Sequence, residues 1–461
     1  MLEALIGPFR TLPLGLIPKP HSDSLRLIQD MSFPRDNPLI HSVNASINSD
    51  DFPTTWGTFK DTAELILSLP EGCLAVTFDI SAAYCLTPIH PDQQSSLCLL
   101  WDDKVYVDRA VMFGLSLSAG VFGAVANMLV DIYVHAGFGA IRKWVDNFLI
   151  IRFPHQHWLE QDFTELASTV GVPWSHKKTR PLSTCQWYIG FLWDLPAKTI
   201  ALPKEKVDTA LKLIQEWSVA GQHFSEHDTM SLHGKLIHVS CIFKLIRPFL
   251  RSLAHFAHIF CTPKAKLAPP QAVTADLSWV WFVTSISPPS VPLACQTPLN
   301  IGWWGDASSS FGIGVIVNDH WVAWKWAPGI KVGPGFDFDI NWAEAIAVEL
   351  GLRLAIHLWV ANGQHNRQII ARSDNQGIVA VVNRGCSRSH KTNKVLKHIY
   401  VLLAHHEVCI VAKHVIGQIN IADALSRGDI AAFQQAFPSA VQKADLCLPP
   451  HLQDMLLSWP P

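Results

Sequence analysis

None of the ten cysteines stands in a C-x-x-C pair or in a finger-like Cys/His spacing. No disulfide framework or zinc site is therefore expected, and the scatter fits reduced thiols in an intracellular protein. No run of 18 apolar residues occurs, and the opening MLEALIGPFRTLPLGLIPKP has neither a charged start nor a small-residue cleavage pattern. The expectation is a soluble, unsecreted chain with no membrane partner. Charge is scarce too: 16% of residues are charged and the formal net charge is -2 at pH 7. A nucleic-acid partner would therefore have to be met by local patches rather than a global basic field. Internal repeats and low-complexity tracts are also missing.

What is there is a chain of 461 residues, 49% hydrophobic with 18 Trp. That is enough for about three globular domains of ~150 residues each. Residues 1–200 alternate strand-like and helical runs, with strands expected at 74–79, 104–111 and 143–151. Residues 201–284 read mainly helical, with apolar positions three and four apart through Val207, Leu211, Ile214 and Trp217. The Pro-rich segment 285–298 reads as a linker. Over 299–429 the expected order is βββαβαβα: strands ending at Asp306, at 311–317 and 321–326 around an Asn318-Asp319 turn, and at 368–373 and 408–414. Helices are expected at 342–360, near Ile378, over 395–403 and from Ile421. The tail, 430–461, has helical pieces and prolines. Arg384, Arg388, Lys391, Lys394 and Lys397 fall in a stretch without Asp or Glu, either a phosphate-facing patch or a solvated helix face.

Four acids hold particular places in the C-terminal pattern: Asp306 and Asp374 at strand ends, Glu344 in the long helix and Asp423 in the last one. Taken singly, each reads as a turn former or helix cap. Jointly, carboxylates at strand ends and on a facing helix can converge on two divalent cations roughly 3.5–4 Å apart, which suits hydrolysis of a phosphodiester. The stretches WWGDASSSFGIGV, INWAEAIAVELGL, ARSDNQGIVAVVNRG and HVIGQINIADALSR resemble ribonuclease H as fused to retroelement reverse transcriptases. The resemblance implies Asp306, Glu344, Asp374 and Asp423 as ligands of two Mg2+ ions that cut the RNA strand of an RNA-DNA hybrid. It also puts His414 near a histidine that assists proton transfer or product release, although a partly buried strand histidine fits as well.

In the first region Asp79 ends an apolar strand, and Asp146 sits at the turn of KWVDNFLII. Neighbouring strands would let the two share metal ions. VTFDISAAYCLTPIHPD, MFGLSLSAGVFG, KWVDNFLIIR, VPWSHKKT and WYIGFLWDL resemble, in order, the palm motifs of reverse transcriptases, most like DIRS-like, tyrosine-recombinase-bearing retrotransposons of fungi. The resemblance implies a right-hand palm, fingers and thumb fold (α+β, multidomain), with the fingers starting late. Its implied partners are an RNA template, a DNA primer and dNTPs. It makes Asp79 and Asp146 metal ligands, Tyr84 a gate against the ribose 2′-hydroxyl, and Lys19 and Arg26 contacts to the triphosphate. A packed core aromatic is the other reading of Tyr84. Lys177 and Lys178 fit a role near the leaving group or a solvated loop. Asn147 departs from the usual second carboxylate: it removes a formal charge while keeping an oxygen ligand, which lowers metal affinity and shifts preference toward Mn2+. The expected function is an RNA-directed DNA polymerase with ribonuclease H activity; the alternative is a decayed or co-opted nucleic-acid-binding protein. Basic residues from Lys235 through Lys244, Arg247 and Arg251 are placed like a thumb or connection on the duplex backbone.

Overall fold

The structure is a computed structural model and describes residues 7–18, 25–35, 37, 39–262, 264–294, 297–359 and 367–459. The fold is mixed α/β and divides into two compact units, Met1–Ala201 with Pro292–Ala294, and Leu202–Val291 with Cys295–Pro461.

In the N-terminal unit, β1 (Leu14–Pro18) and β2 (Leu25–Gln29) form an antiparallel pair. Helix α1 (Phe59–Ser68) starts at a capping box in which Thr58 and Asp61 satisfy each other's main-chain donors. Strand β3 (Leu74–Asp79) is buried from Ala75 onward, which fits a near-continuous apolar run covered on both faces. Further along come β4 (Cys98–Trp101) and β5 (Lys104–Val107), the latter shorter than the 104–111 expected. Then follow α2 (Ser118–His135), β6 (Ile141–Trp144), β7 (Asn147–Arg152), α3 (Glu160–Thr169) and β8 (Arg180–Ser183). The central sheet runs β6-β7-β3-β8. Its core is aromatic: Phe163 stacks on Phe78 at 4.5 Å and on Tyr133 at 3.7 Å. Helix α2 is long and apolar enough to cross a membrane, yet its Phe122, Ala126 and Tyr133 are wholly buried in this core.

The turn joining β6 to β7 is the two-residue Val145-Asp146, as the sequence suggested. Val145 lies at φ 52°, where a β-branched residue is strained by on the order of 1–3 kcal/mol. The cross-strand pairs on either side, Trp144 with Asn147 and Asn147 with Asp79, hold the turn against the end of β3.

The C-terminal unit opens with α4 (Lys204–Trp217), α5 (Glu226–Val239), α6 (Arg251–Ala257) and α7 (Gln271–Ile286), with a 3-10 turn over Lys244–Leu250 that accommodates Pro248. A sheet follows. Strands β9 (Leu299–Ala307), β10 (Gly312–Val317) and β11 (His320–Trp326) form an antiparallel meander turning at Asn318, φ 57°. Helix α8 (Ile340–Leu358) leads to β12 (Arg367–Ser373), parallel to β9. Helices α9 (Gln376–Arg384) and α10 (His390–His405) lead to β13 (Val408–His414), parallel to β12. Parallel neighbours need such crossovers, so the helices are dictated by the strand order. That order is β13-β12-β9-β10-β11. Helix α8 is buried from Trp342 to Leu352, apolar on most sides but with the carboxylates of Glu344 and Glu349 buried among them, as expected of a helix enclosed by its neighbours.

The helix expected from Ile421 is a short α11 (Asp423–Ser426) followed by α12 (Ile430–Ala436). The tail has the helical pieces expected, α12 and a 3-10 turn over Pro450–Leu452, and adds two strands that were not: β14 (Val441–Gln442) and β15 (Leu456–Trp459) both extend the sheet beside β11. Leu-Leu-Ser-Trp is too short for a period to register, and only the open edge of β11 makes it a strand. Helix α11 lies close on β10 because Gly314 has no side chain. A Cβ there would sit 2.7 Å from the Ser426 nitrogen and 2.9 Å from the Ala422 carbonyl oxygen.

Two candidate metal centres

Each unit gathers carboxylates at the ends of its central strands. In the N-terminal unit Asp79, at the end of β3, is buried, and the main-chain N–H of Ile80 donates to the Asp146 carbonyl at 2.8 Å. Asp79, Asp146, Tyr84 and Arg26 line one cleft of about 480 Å³, together with Phe113, Ser175 and Lys178. The Arg26 guanidinium lies 4.8 Å from the centre of the Phe113 ring, and that ring is 5.0 Å from Tyr84. Burial, and then the facing Asp79, raise the Asp146 carboxyl; Lys178 and Arg26 oppose them. Burial and the Asp146 charge also raise the Tyr84 phenol. The Tyr84 side chain is half-buried: it lines the cleft and also packs against the apolar clusters of this unit, with its ring 5.9 Å from that of buried Phe122.

Two details of this centre were not legible beforehand. Lys178 donates to Asp79 Oδ1 at 2.7 Å, giving the lysine a carboxylate partner rather than a purely solvated place. Asn147 lines a second cleft, of about 530 Å³, with Asp79, Lys177, Lys178, Arg180 and Trp187. Its buried Oδ1 has no hydrogen-bond partner among the described residues, and such a group costs roughly 1–3 kcal/mol. Lys19 lies outside the described residues.

In the C-terminal unit the donor atoms of Asp306, Glu344 and Asp374 lie within 4.8 Å of one another. β9 delivers Asp306, α8 presents Glu344, and Asp374 follows β12 directly. Asp423, the first residue of α11, lines the same cleft of about 390 Å³ with Ser308, Asn375 and Arg427. Caps fix these elements at the site: Asp339 accepts from the Trp342 N–H at the start of α8, and Asn375 from the Ile378 N–H at the start of α9.

The acids are held by small polar side chains. Ser426 and Asn420 donate to the two oxygens of Asp306, the latter at 3.1 Å. Ser373 Oγ donates to Glu344 Oε2 at 3.2 Å. Arg427 Nε lies 2.8 Å from both oxygens of Asp423 on an exposed face. His414 is exposed and donates Nε2–H to the Asp374 carbonyl at 3.1 Å, so the partly buried reading of this histidine does not apply. Burial, with the Asp306 and Asp374 charges, pushes Glu344 up to about 9. Asp306 rises to about 6 from burial and neighbouring acids, against the Ser426 bond. Crowding so many carboxylates is unfavourable without a cation. An all-oxygen donor set of this kind suits a hard divalent ion.

The basic stretch near 384–397 is not a free patch throughout. Lys397 donates to both oxygens of Asp276 at 2.7 and 2.6 Å, and Lys391 lies 3.4 Å from Asp337. Arg247 and Arg251 likewise donate to the main-chain carbonyls of Arg384 and Arg388. These side chains tie the unit's own helices and connections together, Lys397 joining α10 to α7, while Lys394, Lys244 and Lys235 have no described ion pair.

No known family profile matches the sequence, and no curated protein matches it. Among solved structures the chain is similar to a foamy viral protease-reverse transcriptase dRH in complex with double-stranded DNA, at TM-score 0.46 and 16% identity, over 88% of this chain and 66% of that one. It is also similar to the foamy viral protease-reverse transcriptase with double-stranded DNA, at TM-score 0.44 and 16% identity over 88% and 78%. A third similar structure is that protein with an RNA/DNA hybrid, at TM-score 0.36 and 15% identity over 90% and 73%. The chain thus spans just under two thirds of the first of these proteins.

Proposed function

We propose that the chain is a retroelement enzyme, of the DIRS-like class by its motifs, in which an RNA-directed DNA polymerase is joined to a ribonuclease H. The observation that carries the reading is the gathering of Asp306, Glu344 and Asp374 within 4.8 Å, with Asp423 on the same cleft. The sheet order β13-β12-β9-β10-β11 supports the nuclease reading, because it brings the first and fourth strand ends side by side. Asp306, Glu344, Asp374 and Asp423 would hold Mg2+, and Asp79 with Asp146 would hold it in the other unit. Bound divalent cations supply activation of the attacking oxygen and neutralisation of charge on the leaving oxygen. The protein's own part is positional. Ser426 and Asn420 orient Asp306, Ser373 orients Glu344, and Arg427 holds Asp423 at the cleft. Exposed His414 is poised to pass a proton at the rim. The Arg26 guanidinium suits an incoming triphosphate, and the Tyr84 ring suits a steric gate beside Asp146. An RNA-DNA hybrid would be read through 2′-hydroxyls and groove shape.

A labelled RNA-DNA hybrid incubated with the protein and Mg2+ tests the nuclease. Cleavage confined to the RNA strand is expected, and an intact hybrid overturns the claim. Primer extension on poly(rA)/oligo(dT), with Mg2+ and then Mn2+, tests the polymerase.

A second reading, a working nuclease beside an idle polymerase centre, is favoured by two features. Lys178 already neutralises Asp79, and an uncharged Asn147 stands opposite Asp79 in register. Incorporation of dNTPs by the unmodified protein would dismiss it.

A further inference from the structure

We propose that Glu349, His398 and His451 form a zinc site, separate from the acidic centres, that fastens the C-terminal segment to helices α8 and α10. Glu349 is on α8 and wholly buried, His398 is on α10, and His451 belongs to the 3-10 turn Pro450–Leu452. The donor atoms form a compact triangle. His398 Nδ1 is 2.8 Å from His451 Nε2, His451 Nε2 is 3.1 Å from Glu349 Oε2, and His398 Nδ1 is 3.7 Å from the same oxygen. Zinc bonded at about 2.0–2.1 Å with tetrahedral angles requires donor-to-donor edges of about 3.3 Å, and the three observed edges straddle that value.

The surroundings fit the same assignment. Arg353 donates twice to Glu349 Oε1, at 2.8 and 3.1 Å. It thereby fixes the carboxylate and leaves Oε2 as the single ligand oxygen, the supporting role that outer partners play around bound metals. The His398 and His451 side chains are 30% and 28% exposed, which gives the ion an entry path and a water the fourth position. Two imidazoles and one carboxylate favour zinc over magnesium, the opposite of the all-oxygen acidic cleft. Without metal, one ring N–H bridges the two nitrogens 2.8 Å apart; for zinc to take a lone pair from each, that hydrogen moves to the outer nitrogen of its own ring, so two neutral imidazoles bind the ion with no net proton released. The site would tether the turn immediately before β15, the strand on the edge of the sheet.

The test uses the full chain, freed of metal by chelation and titrated with zinc against a chromophoric chelator in excess magnesium. One tight equivalent is expected. His398→Ala and His451→Ala should each weaken it by about a hundredfold or more, whereas Asp306→Asn/Asp374→Asn should retain it. A hundredfold excess of zinc over its Kd should raise Tm by about 5 °C in the wild type and not in either histidine variant. X-ray absorption at the zinc edge of the wild-type protein should count two imidazoles, a readout that holds even if a variant fails to fold. Absence of tight zinc in the wild type, an edge spectrum without imidazole, or undiminished binding by both histidine variants overturns the site.

Discussion

The two acidic centres place carboxylates at strand ends in the same way but differ in how their charge is managed. In the C-terminal unit three acids crowd together and are kept in place by neutral hydroxyls and an amide, from Ser426, Ser373 and Asn420. Arg427, paired with the fourth acid Asp423, relieves their repulsion only in part, and Glu344 is raised to about 9. In the N-terminal unit Asp79 is already paired with a cation: Lys178 is bonded to it, and Asn147 contributes no charge. The lesson is that a carboxylate's value as a metal ligand depends on what else neutralises it. Holding it with a serine preserves its pull on a cation; holding it with a lysine does not.

The sharpest way to break this contrast is Asp374→Asn. Hybrid cleavage should fall on the order of 10³-fold while any primer extension is unchanged, measured on the same preparation with the two substrates. Equal loss of both activities would mean that the centres are not independent.

Next in size is Asn147→Asp, which restores a charge beside Asp79. Magnesium-supported primer extension should rise roughly 10–100-fold, and the ratio of manganese- to magnesium-supported rates should fall. A variant that remains inert with both metals would make Asn147 a symptom, and the reading of the N-terminal centre as an active polymerase would fail.

Ser426→Ala tests the claim that neutral partners position the nuclease acids. Losing the hydroxyl that bonds Asp306 should cost about 10–100-fold in magnesium affinity, seen as a shifted magnesium dependence of cleavage with little change at saturation. Loss at saturating magnesium alone would point instead to a direct chemical role.

The smallest effect is on stability. Burial with the Asp306 and Asp374 charges lifts Glu344 from its ordinary 4.5 to about 9. The folded protein therefore keeps a proton that the unfolded chain releases, and metal-free stability should fall as pH rises through that window. Glu344→Gln should flatten the fall. Melting in EDTA at pH 5, 7 and 9 measures it, with a wild-type decline several degrees larger than the variant's, and added magnesium should abolish the difference.

The acids were legible because a strand announces itself by its apolar run and β-branched content, which fixes its end to within a residue or two. Asp79 closes β3, Asp306 is next to last in β9, Asp374 directly follows β12, and Asp146 stands in the β6–β7 turn. The residues that hold them were not, apart from Lys178, whose bond to Asp79 alone was hidden: Ser373, Asn420 and Ser426 obey no period, and their partners are set by tertiary folding. The same applies to Glu349, His398 and His451: 53 residues separate the two histidines and 102 separate His451 from Glu349, so no local spacing marks them. The strands of the tail were hidden for another reason. A two- or four-residue segment becomes a strand only when an edge is available to it.

If the chain is a retroelement enzyme as proposed, the close seat of α11 on β10 at Gly314 bears on how diverged copies of this sequence are judged. A methyl group at that position would push away the turn that carries Asp423 and Ser426, leaving every acidic letter intact and the cleft one ligand short. Counting surviving carboxylates would score that copy as live. The better diagnostic of a dead copy is a hydrogen atom exchanged for carbon where two backbones meet.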